Sequence, residues 1–440
     1  MAGCDHITMM QQVPLSDGKA LNTVTICVKG VVQGVGFRPW VVGLAESMGV
    51  SGRVYNHQGA VIIECRGDIS SLGDLIEHIQ NRPPARAHVT SVDVREGLDL
   101  AISSGFSIDQ SITKKCVSLP EGLLPITLDF APCDLCLREL LDPDDRRYRY
   151  PFISCADCGP RHSIMQSAPF DRERTSMSRF VLCHACAEEY SDPRDRRFHA
   201  QTISCHQCGP KLRYTNGHGT RIDGDPIGLA NAALKRGEIV ALKGVGGFQL
   251  VVDASNGSAL DRLRKRKNRP HKPFALMVRN VELAKQIGQL SREDLNALTS
   301  VAAPIVLIRA RDSGKMLPDA IAPGLRRIGV MLPSSTLHCL LLGEWETPLV
   351  VTSGNVSGAP LCVDNNAALV ELASIADGFL LYDRDIEHRL DDSVVQCVNG
   401  DVVPLRLGRG YAPGCFSVPP GFEKAPSVLA MGADLKNSVC

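Results

Sequence analysis

The chain has 440 residues, with 48 basic and 48 acidic side chains and an apolar fraction of 44%. This length exceeds one ordinary domain of roughly 100 to 200 residues, and the composition excludes a disordered, collagen-like or coiled-coil chain. No apolar run approaches the ~18 residues of a membrane span, and the first twenty residues lack the pattern of a signal peptide. We therefore expect a mixed α+β multidomain protein of the cytoplasm with no membrane partner. Residues 1–21 lack hydrophobic periodicity and are predicted to be a flexible extension.

Residues 22–112 have the element order of a small sandwich domain. The predicted elements are a strand at 23–29, a helix at 37–48, strands at 51–56 and 60–65, a helix at 69–81 and a strand at 89–94. These assignments depend on apolar periodicity and on glycine and proline at the element ends. The order βαββαβ predicts a ferredoxin-like sandwich.

The loop after the first strand is rich in glycine and ends in an arginine. Residues 30–38 are Gly-Val-Val-Gln-Gly-Val-Gly-Phe-Arg. Such a loop can direct several backbone N–H groups at one point, and the start of a helix and a guanidinium add positive charge there. The pattern favours a phosphate site, although composition alone leaves open a glycine turn with only a structural role.

The stretch from Val32 to Arg38, together with Asn56, resembles the acylphosphatase signature, and that family has the same βαββαβ sandwich. The resemblance implies that Arg38 binds the phosphoryl oxygens and that Asn56 orients the attacking water. It also implies phosphate binding by the loop residues Gln33, Gly34, Val35, Gly36 and Phe37.

Residues 128–213 contain an internal duplication with an offset of 50 residues. For example, Arg146, Arg147 and Cys155 recur as Arg196, Arg197 and Cys205. The Cys-x-x-Cys pairs are Cys133 with Cys136, Cys155 with Cys158, Cys183 with Cys186, and Cys205 with Cys208.

Four thiolates presented by two tight turns suit tetrahedral Zn²⁺. Disulfide or free cysteines would leave the duplication unexplained, and a chain without a signal peptide is expected in a reducing compartment. We predict two structural zinc ions in a double Cys4 zinc-finger domain, with one ion in each half. An exchange of cysteine pairs between the halves stays open.

Residues 222–413 are predicted to form a separate α/β domain, because β-rich runs alternate with amphipathic helices. The predicted strands are 238–242, 304–309, 348–352 and 393–397, and the predicted helices include 258–266 and 366–376. Residues 261–272 hold seven Lys or Arg against one Asp. A solvated helix face is the simple explanation of this charge. A glycine loop at Lys243 and the run from Thr352 to Gly358, each following a strand, favour a phosphate or ribose site instead.

Three motifs of this region resemble the YrdC/Sua5 family, which joins a carbamoyl group to AMP using ATP. They are a basic motif with Lys267, Arg269 and Lys272, a Ser-x-Asn-x-Ser-Gly motif, and the Asp-Ser-Val-Val run at 392–395. The resemblance implies that the three cations neutralise the triphosphate and the developing pyrophosphate. It further implies a nucleotide site that includes Lys243, Ser353, Asn355, Ser357 and Ser393. The loop at Lys243 departs from the hydroxyl-rich segment usual in that family.

The order of the three domains resembles that of the HypF family of carbamoyltransferases, which act in the maturation of nickel-iron hydrogenases. The resemblance implies that carbamoyl phosphate is hydrolysed in the first domain and that ATP, with Mg²⁺, converts carbamate to carbamoyl adenylate. The family's acceptor is the C-terminal cysteine of the partner HypE. Residues 414–440 resemble a linker and the opening of that family's Kae1-like domain, so we expect a truncated transfer domain.

Two other functions are compatible with parts of the sequence. The α/β domain alone would suit threonylcarbamoyl-adenylate synthesis for tRNA modification, but a phosphatase-like domain has no role in that pathway. The zinc-finger repeat and the basic run would suit a nucleic-acid-binding protein without catalytic activity. Zero net charge and an aromatic content of 5% count against that second alternative.

Overall fold

The computed structural model describes residues 22–57, 59–96, 102–112, 127–311 and 317–414, with residues 421, 422, 425, 426, 428 and 429. They fall into two compact units, one of residues 22–32 and 37–112, the other of residues 33–36 and those from 127 onwards. The predicted extension at 1–21 lies outside the described residues, as does most of the predicted Kae1-like opening. Within the described part, no helix is both long and apolar enough to cross a bilayer.

The first unit is a five-stranded sheet, antiparallel except at one edge, with two helices. Its elements are β1 (Asn22–Val31), α1 (Phe37–Ser47), β2 (Ser51–His57), β3 (Ala60–Gly67), α2 (Ile69–Asn81), β4 (His88–Glu96) and β5 (Phe106–Ile108). The strand order is β4-β1-β3-β2-β5, and β5 pairs in parallel with β2. The predicted βαββαβ order is confirmed. Strand β5 was not predicted, because three residues carry too little periodicity to be recognised.

Helix α2 shows why these residues form these elements. Leu72, Leu75 and Ile79 recur at helical spacing and are fully buried. The carboxylate of Asp68 accepts a hydrogen bond from the backbone N–H of Ser71 at 2.8 Å, which caps the first turn. Two prolines follow the helix, and its bounds agree with the prediction.

In the second unit, the duplicated cysteine region has the same local structure in both halves. Helix α3 (Asp134–Leu141) begins directly after Cys133, and α4 (His184–Ser191) begins directly after Cys183. Each helix thus presents the second cysteine of its pair from the first turn. Short 3₁₀ turns lie between the halves, at His162–Ile164 and Arg172–Arg174.

The remaining elements of the second unit build one large mixed sheet with helices. Its strands are β6 (Leu212–Asn216), β7 (Arg221–Ile222), β8 (Val240–Lys243), β9 (Phe248–Asp253), β10 (Ala275–Met277), β11 (Gly288–Gln289), β12 (Ile305–Ala310), β13 (Arg327–Met331), β14 (Leu349–Ser353), β15 (Gly378–Tyr382), β16 (Val394–Val398) and β17 (Asp401–Arg406). The helices are α5 (Pro226–Lys235), α6 (Gly257–Arg266), α7 (Val281–Ile287), α8 (Arg292–Leu298), α9 (Thr336–Leu342) and α10 (Asn365–Glu371), with a 3₁₀ turn at Asp319–Ile321. The strand order is β17-β16-β12-β13-β10-β14-β9-β8-β15-β6-β7, and β11 pairs with β12.

Alternate residues of the central strands enter two different hydrophobic cores. On β9, Leu250 and Val252 pack with Leu260 of α6 in one core, whereas Val251 packs with Leu337 of α9 in the other. Side chains of a strand alternate between its two faces, so both faces of this sheet are covered. A buried sheet of this kind holds the loops at its strand ends rigidly.

The cysteine region shares one of these cores with the large sheet. Leu140, Tyr150 and Phe152 belong to the same buried cluster as Tyr214 and Tyr382. The predicted domain boundary at 213 falls inside β6, which pairs antiparallel with β15. The predicted helix at 366–376 was too long, because α10 ends at Glu371. The apolar residues beyond it, such as Leu372 and Ile375, are buried in turns instead.

Candidate functional site

The glycine loop between β1 and α1 has the backbone conformation that its sequence requires. Gly34 has φ of +68° and Gly36 has φ of +73°, a left-handed region that side chains with a Cβ rarely adopt. The loop ends at Phe37, the first residue of α1, and Arg38 lies in the first helical turn. All five predicted loop residues are therefore consecutive at the start of a helix, where backbone N–H groups lack helical partners.

Arg38 and Asn56 are brought together inside the first unit. Asn56 lies on β2 and is fully buried, while Arg38 is 8% exposed. With the amide oriented by its hydrogen bonds, the Asn56 oxygen accepts from Arg38 Nη1 at 3.3 Å and Nη2 at 3.2 Å. The two predicted catalytic side chains therefore form one preorganised pair. Their catalytic roles stay a prediction.

The eight predicted zinc ligands form two separate Cys4 clusters. One contains Cys133, Cys136, Cys155 and Cys158, and the other Cys183, Cys186, Cys205 and Cys208, with the sulfur atoms of each cluster within 4.8 Å of one another. The cysteine pairs therefore combine within each half. The alternative, an exchange of pairs between the halves, is not what the structure shows.

The geometry of both clusters fits zinc. Four sulfurs about 2.3 Å from a central Zn²⁺ lie about 3.8 Å apart at the corners of a tetrahedron. Neighbouring sulfurs in the first cluster are 3.5 to 3.8 Å apart, and the two resolved pairs in the second are 3.6 and 3.8 Å apart. With all four positions supplied by cysteine, each cluster suits a structural ion.

A cavity with a volume of about 520 Å³ lies at strand ends of the large sheet in the second unit. Its wall includes the loop 245–247 before β9, the end of β14 and the residues before β16. The cations that line it are Arg269, Lys272, Arg326, Arg327, Arg406 and Arg409, against the two carboxylates of Asp391 and Asp392. This excess of positive charge favours a polyanionic ligand.

Three of the predicted nucleotide-binding residues line this cavity, namely Arg269, Lys272 and Ser353. The guanidinium of Arg269 is held by the carbonyl of Pro273 at 2.6 Å and lies over the ring of Phe274. Burial and the neighbouring Arg264 and Arg406 lower the pKa of Arg269 to about 10. Its guanidinium is thus held rigidly and stays charged at neutral pH.

Lys267 does not line the cavity but lies behind its wall. The ammonium is buried and donates to the carbonyls of Ser353 at 2.7 Å and Asn355 at 2.6 Å, and to Asn355 Oδ1 at 3.1 Å. The amide of Asn355 in turn donates to the carbonyl of Ala359 at 2.6 Å. Lys267 and Asn355 therefore shape the loop that follows β14.

The other predicted residues also lie outside the wall of this cavity. Ser357 is exposed on the loop after β14. Ser393 is fully buried, donates to the carbonyl of Arg409 at 2.9 Å and accepts from the N–H of Gly408 at 2.8 Å. Ser393 thereby fixes the backbone around Arg409, whose side chain does line the cavity.

Lys243 is buried at the end of β8, beside a smaller cavity of about 40 Å³. Its ammonium donates to the carbonyls of Arg384 at 2.9 Å and Tyr382 at 3.3 Å, and lies 4.7 Å from the centre of the Tyr382 ring. Burial lowers the pKa of Lys243 to about 8. Val245 and Ser334 line both cavities, so Lys243 lies next to the larger one without facing it.

A buried hydrogen-bond chain at the larger cavity was not anticipated from the sequence. His338 Nε2 lies 2.8 Å from Gln249 Oε1, Gln249 Nε2 donates to Asp392 Oδ2 at 3.0 Å, and Arg409 Nη2 donates to Asp392 Oδ1 at 3.1 Å. Because Gln249 presents its oxygen to the imidazole, His338 Nε2 carries the proton and Nδ1 accepts from the Ser335 hydroxyl, 2.9 Å away.

The charges along this chain are set by their neighbours. Burial lowers the pKa of His338 to about 4, so the imidazole is neutral. Burial by itself raises the pKa of Asp392, but the guanidiniums of Arg409 and Arg406 outweigh it, and the net shift is downward. The result is a carboxylate held in one orientation at the cavity wall.

Several cavity cations were also missed by sequence reasoning. Arg326 and Arg327 lie just before and at the start of β13, and Arg406 ends β17. A pair of arginines at the start of a strand was the available signal, but it lies about fifty residues from the basic run at 261–272. Arg406 donates to the carbonyl of Asp392 at 2.6 and 2.8 Å, which fixes it at the wall.

Comparison with known families assigns all three regions. Residues 24–108 match the acylphosphatase family, residues 133–165 and 182–215 match the HypF finger, and residues 232–408 match the Sua5, YciO and YrdC family, described as telomere recombination. The first region is 42% identical over 77 residues to the acylphosphatase of Thermotoga maritima, covering 84% of that protein. This region belongs to the acylphosphatase family.

The similarity to curated proteins extends over nearly the whole chain. The carbamoyltransferase HypF of Rhodobacter capsulatus is 47% identical over 415 residues, which cover 94% of this chain and 54% of that protein. The HypF of Synechocystis is 46% identical over 95% of this chain and 54% of its own length. The chain thus spans about half the length of the curated relatives it matches.

Solved structures agree with these relatives. A full-length HypF in the phosphate- and nucleotide-bound form has a TM-score of 0.84 and 43% identity, covering 90% of this chain and 51% of that one. The T. kodakarensis HypF has a TM-score of 0.81 and 38% identity, covering 89% of this chain and 50% of that one. With the same three regions in the same order, at this identity and with this fold, the chain is similar to HypF proteins over about half of their length.

Proposed function

We propose that this chain hydrolyses carbamoyl phosphate in its acylphosphatase-family region, residues 24–108, and converts the resulting carbamate to carbamoyl adenylate in the α/β region that follows the cysteine repeats. The observation that carries the proposal is the pairing, in one chain, of an acylphosphatase-family unit with a cavity lined by six cations. The reactions are those of a carbamoyltransferase that serves the maturation of nickel-iron hydrogenases. The activity for which these relatives are named, carbamoyltransferase, supports this assignment.

The first reaction breaks the bond between the carbamoyl oxygen and phosphorus, and water supplies the oxygen that completes phosphate. The N–H groups of the loop Gln33–Phe37 and the guanidinium of Arg38 hold the phosphoryl oxygens. Asn56 orients the water, and its contact with Arg38 keeps both side chains in position. Charge that develops on the phosphoryl group meets preorganised donors, which is where such sites gain most of their rate.

In the second reaction, a carbamate oxygen attacks the α-phosphorus of ATP and pyrophosphate leaves. Arg269, Lys272 and Arg327 supply positive charge around the triphosphate and the departing pyrophosphate. The end of β14 brings Ser353 to the nucleotide, and Lys267 holds that segment in place. A volume of about 520 Å³ lies within the usual range for a small-molecule site. Mg²⁺ would accompany the triphosphate as it does in most ATP sites.

We assign the C-terminal cysteine of HypE as the final acceptor of the carbamoyl group, and the cytoplasm as the location of the reaction. The family name carbamoyltransferase supports an acceptor of this kind. Eight cysteines arranged for zinc need a reducing compartment, and ATP is available there.

Pyrophosphate release is the decisive assay. With ATP present, we expect release with carbamoyl phosphate and none with threonine plus bicarbonate. Arg38→Ala should stop release with carbamoyl phosphate, and freshly dissolved ammonium carbamate should restore it, because carbamate bypasses the first reaction. Lys235→Ala is the matched control, since Lys235 is exposed and pairs with Glu344 at 3.0 Å outside the cavity.

Two results would overturn the proposal. Release with threonine and bicarbonate, but not with carbamoyl phosphate, would assign threonylcarbamoyl-adenylate synthesis to the second unit. Phosphate release from carbamoyl phosphate at wild-type rate in Arg38→Ala would remove the assignment of the first unit. Mass spectrometry of HypE tests the acceptor in a reaction to which the Kae1-like domain of a HypF relative has been added: a carbamoyl group on any residue other than its terminal cysteine would contradict that part.

A further inference from the structure

The two Cys4 clusters are linked by arginines that cross between the repeats. Arg146, from the first repeat, donates to Cys186 Sγ of the second at 2.9 Å. Arg196, from the second repeat, donates to Cys136 Sγ of the first at 3.4 and 3.5 Å. Each repeat thus supplies a guanidinium to a zinc ligand of the other.

The neighbouring arginines cross in the same way. Arg147 donates to the carbonyl of Ser204 at 2.9 Å, and Arg197 donates to the carbonyl of Ser154 at 3.3 Å. Each of these serines directly precedes a cysteine of the opposite cluster. The side chains of Arg147 and Arg197 are 2% and 5% exposed, so both contacts are shielded from water.

One glutamate in each half fixes the incoming arginine pair. Glu139 lies one helical turn after Cys136 and binds both Arg196 and Arg197, with its Oε1 2.9 Å from Arg196 Nε. Glu189 lies one turn after Cys186 and binds Arg146 at 2.9 Å and also Arg147. The two glutamates, like the two pairs of arginines, are 50 residues apart. The arrangement is therefore symmetric.

The electrostatics explain what these contacts do. Zn²⁺ with four thiolates carries a net charge of −2, which is costly to bury without compensation. Two guanidiniums and one carboxylate add a net +1 beside each cluster, and N–H groups that point at sulfur stabilise the thiolate form. In both clusters the guanidiniums come from the other repeat.

We propose that the two zinc sites depend on each other, because the arginine pair of each repeat completes the site of the other. Zinc bound in the first repeat orders the segment that carries Arg146 and Arg147, and these residues secure the zinc of the second repeat. The same relation holds in the opposite direction. A repeat deprived of its partner therefore loses affinity for its own ion.

The test is zinc release to a coloured chelator, combined with alkylation of thiols and peptide mass spectrometry. For Arg196→Ala we expect one of two zinc ions to leave about 10- to 100-fold faster than in wild type, the usual effect of removing a partner of a metal ligand. The newly alkylated thiols should be Cys133 and Cys136, which lie in the repeat that was not altered. Arg146→Ala should give the mirror result at Cys183 and Cys186.

Arg194→Ala is the matched control, because Arg194 is 90% exposed and contacts Asp192 of its own repeat. Arg196→Lys keeps the positive charge, so this variant should release zinc at a rate between those of wild type and Arg196→Ala. It also provides a test if the alanine variant fails to fold. Cys133→Ser should lose the first ion and also speed the release of the second.

The proposal fails if Arg196→Ala exposes Cys183 and Cys186 first. It also fails if Arg196→Ala and Arg196→Lys both release zinc as slowly as Arg194→Ala. Release of the second ion from Cys133→Ser at the wild-type rate would show that the two sites are independent.

Discussion

Lys267 offers a sharp test, because the structure places it behind the cavity wall and not in it. In Lys267→Met the apolar stem is retained and the ammonium is lost. The carbonyls of Ser353 and Asn355 and the Asn355 side-chain oxygen then lose a buried charged donor at 2.6 to 3.1 Å. We therefore expect two effects of this substitution, a lower free energy of unfolding and weaker binding of ATP.

The magnitude follows from those three contacts. A hydrogen bond to a charged group contributes about 1.5 to 3 kcal/mol, but the three contacts share one ammonium whose burial is itself costly. A net loss of about 3 to 5 kcal/mol in the free energy of unfolding is reasonable. At about 2 °C per kcal/mol for a unit of this size, Tm falls by roughly 6 to 10 °C. The loop after β14, which Lys267 holds, should also lose one hydrogen bond to the nucleotide. Such a bond contributes about 1 kcal/mol, so KM for ATP should rise about fivefold.

Calorimetry and the pyrophosphate assay measure the two effects, and Lys272→Met is the comparison. Lys272 is exposed at the cavity, so its loss should slow pyrophosphate release and leave Tm unchanged. Both variants should hydrolyse carbamoyl phosphate at the wild-type rate. A Lys267→Met protein that melts within 2 °C of wild type but releases no pyrophosphate would refute this reasoning and make Lys267 a direct ligand of the triphosphate.

Three further predictions follow from other parts of the structure. Arg38→Ala should slow phosphate release from carbamoyl phosphate about a hundredfold, the cost of about 3 kcal/mol for one lost oxyanion donor; unchanged kinetics would contradict it. Elemental analysis should find two zinc ions in the wild type, and a single ion there would contradict the two-cluster arrangement. Because burial lowers the pKa of His338 to about 4 in the folded protein, the free energy of unfolding should be highest above pH 6.5. It should fall by about 3 kcal/mol as the pH drops from there to about 4. His338→Gln should remove that part of the pH dependence in chemical unfolding, and an unchanged profile would show that another group is responsible.

The parts of the fold that the sequence predicts well are those determined by short stretches of chain. Helix α2 agrees to the residue because Asp68 caps its start and prolines follow its end. The four Cys-x-x-Cys ligand pairs were predictable because such a turn presents its two sulfurs locally, but the combination of pairs within each half is given only by the structure. For the same reason, Gly34 and Gly36 indicated a tight loop before α1.

The parts that could not be predicted depend on packing between distant segments. Arg269, Arg327 and Arg406 come from three different segments, and only the paired strands bring them to one cavity. Lys267 and Arg269 are two positions apart in one basic run, yet one lies behind the wall and the other lines the cavity. Composition gives the charge of such a run but not the direction of each side chain. Apolar spacing also extended helix α10 past its observed end at Glu371, because buried turn residues such as Leu372 and Ile375 have the same spacing as a helix face.

The position of β6 has a consequence for how the chain folds during synthesis. Its residues leave the ribosome directly after the second Cys4 half, but their partners on β15 follow only much later, with Asn216 opposite Gly378. At roughly 5 to 20 residues per second, translation delays that pairing by about 10 to 30 seconds. The cysteine region can collect its metal during this interval, whereas β6 has an unpaired edge that can recruit other nascent chains. Slowed elongation between β6 and β15 should therefore lower the soluble yield more than an equal pause placed after Tyr382.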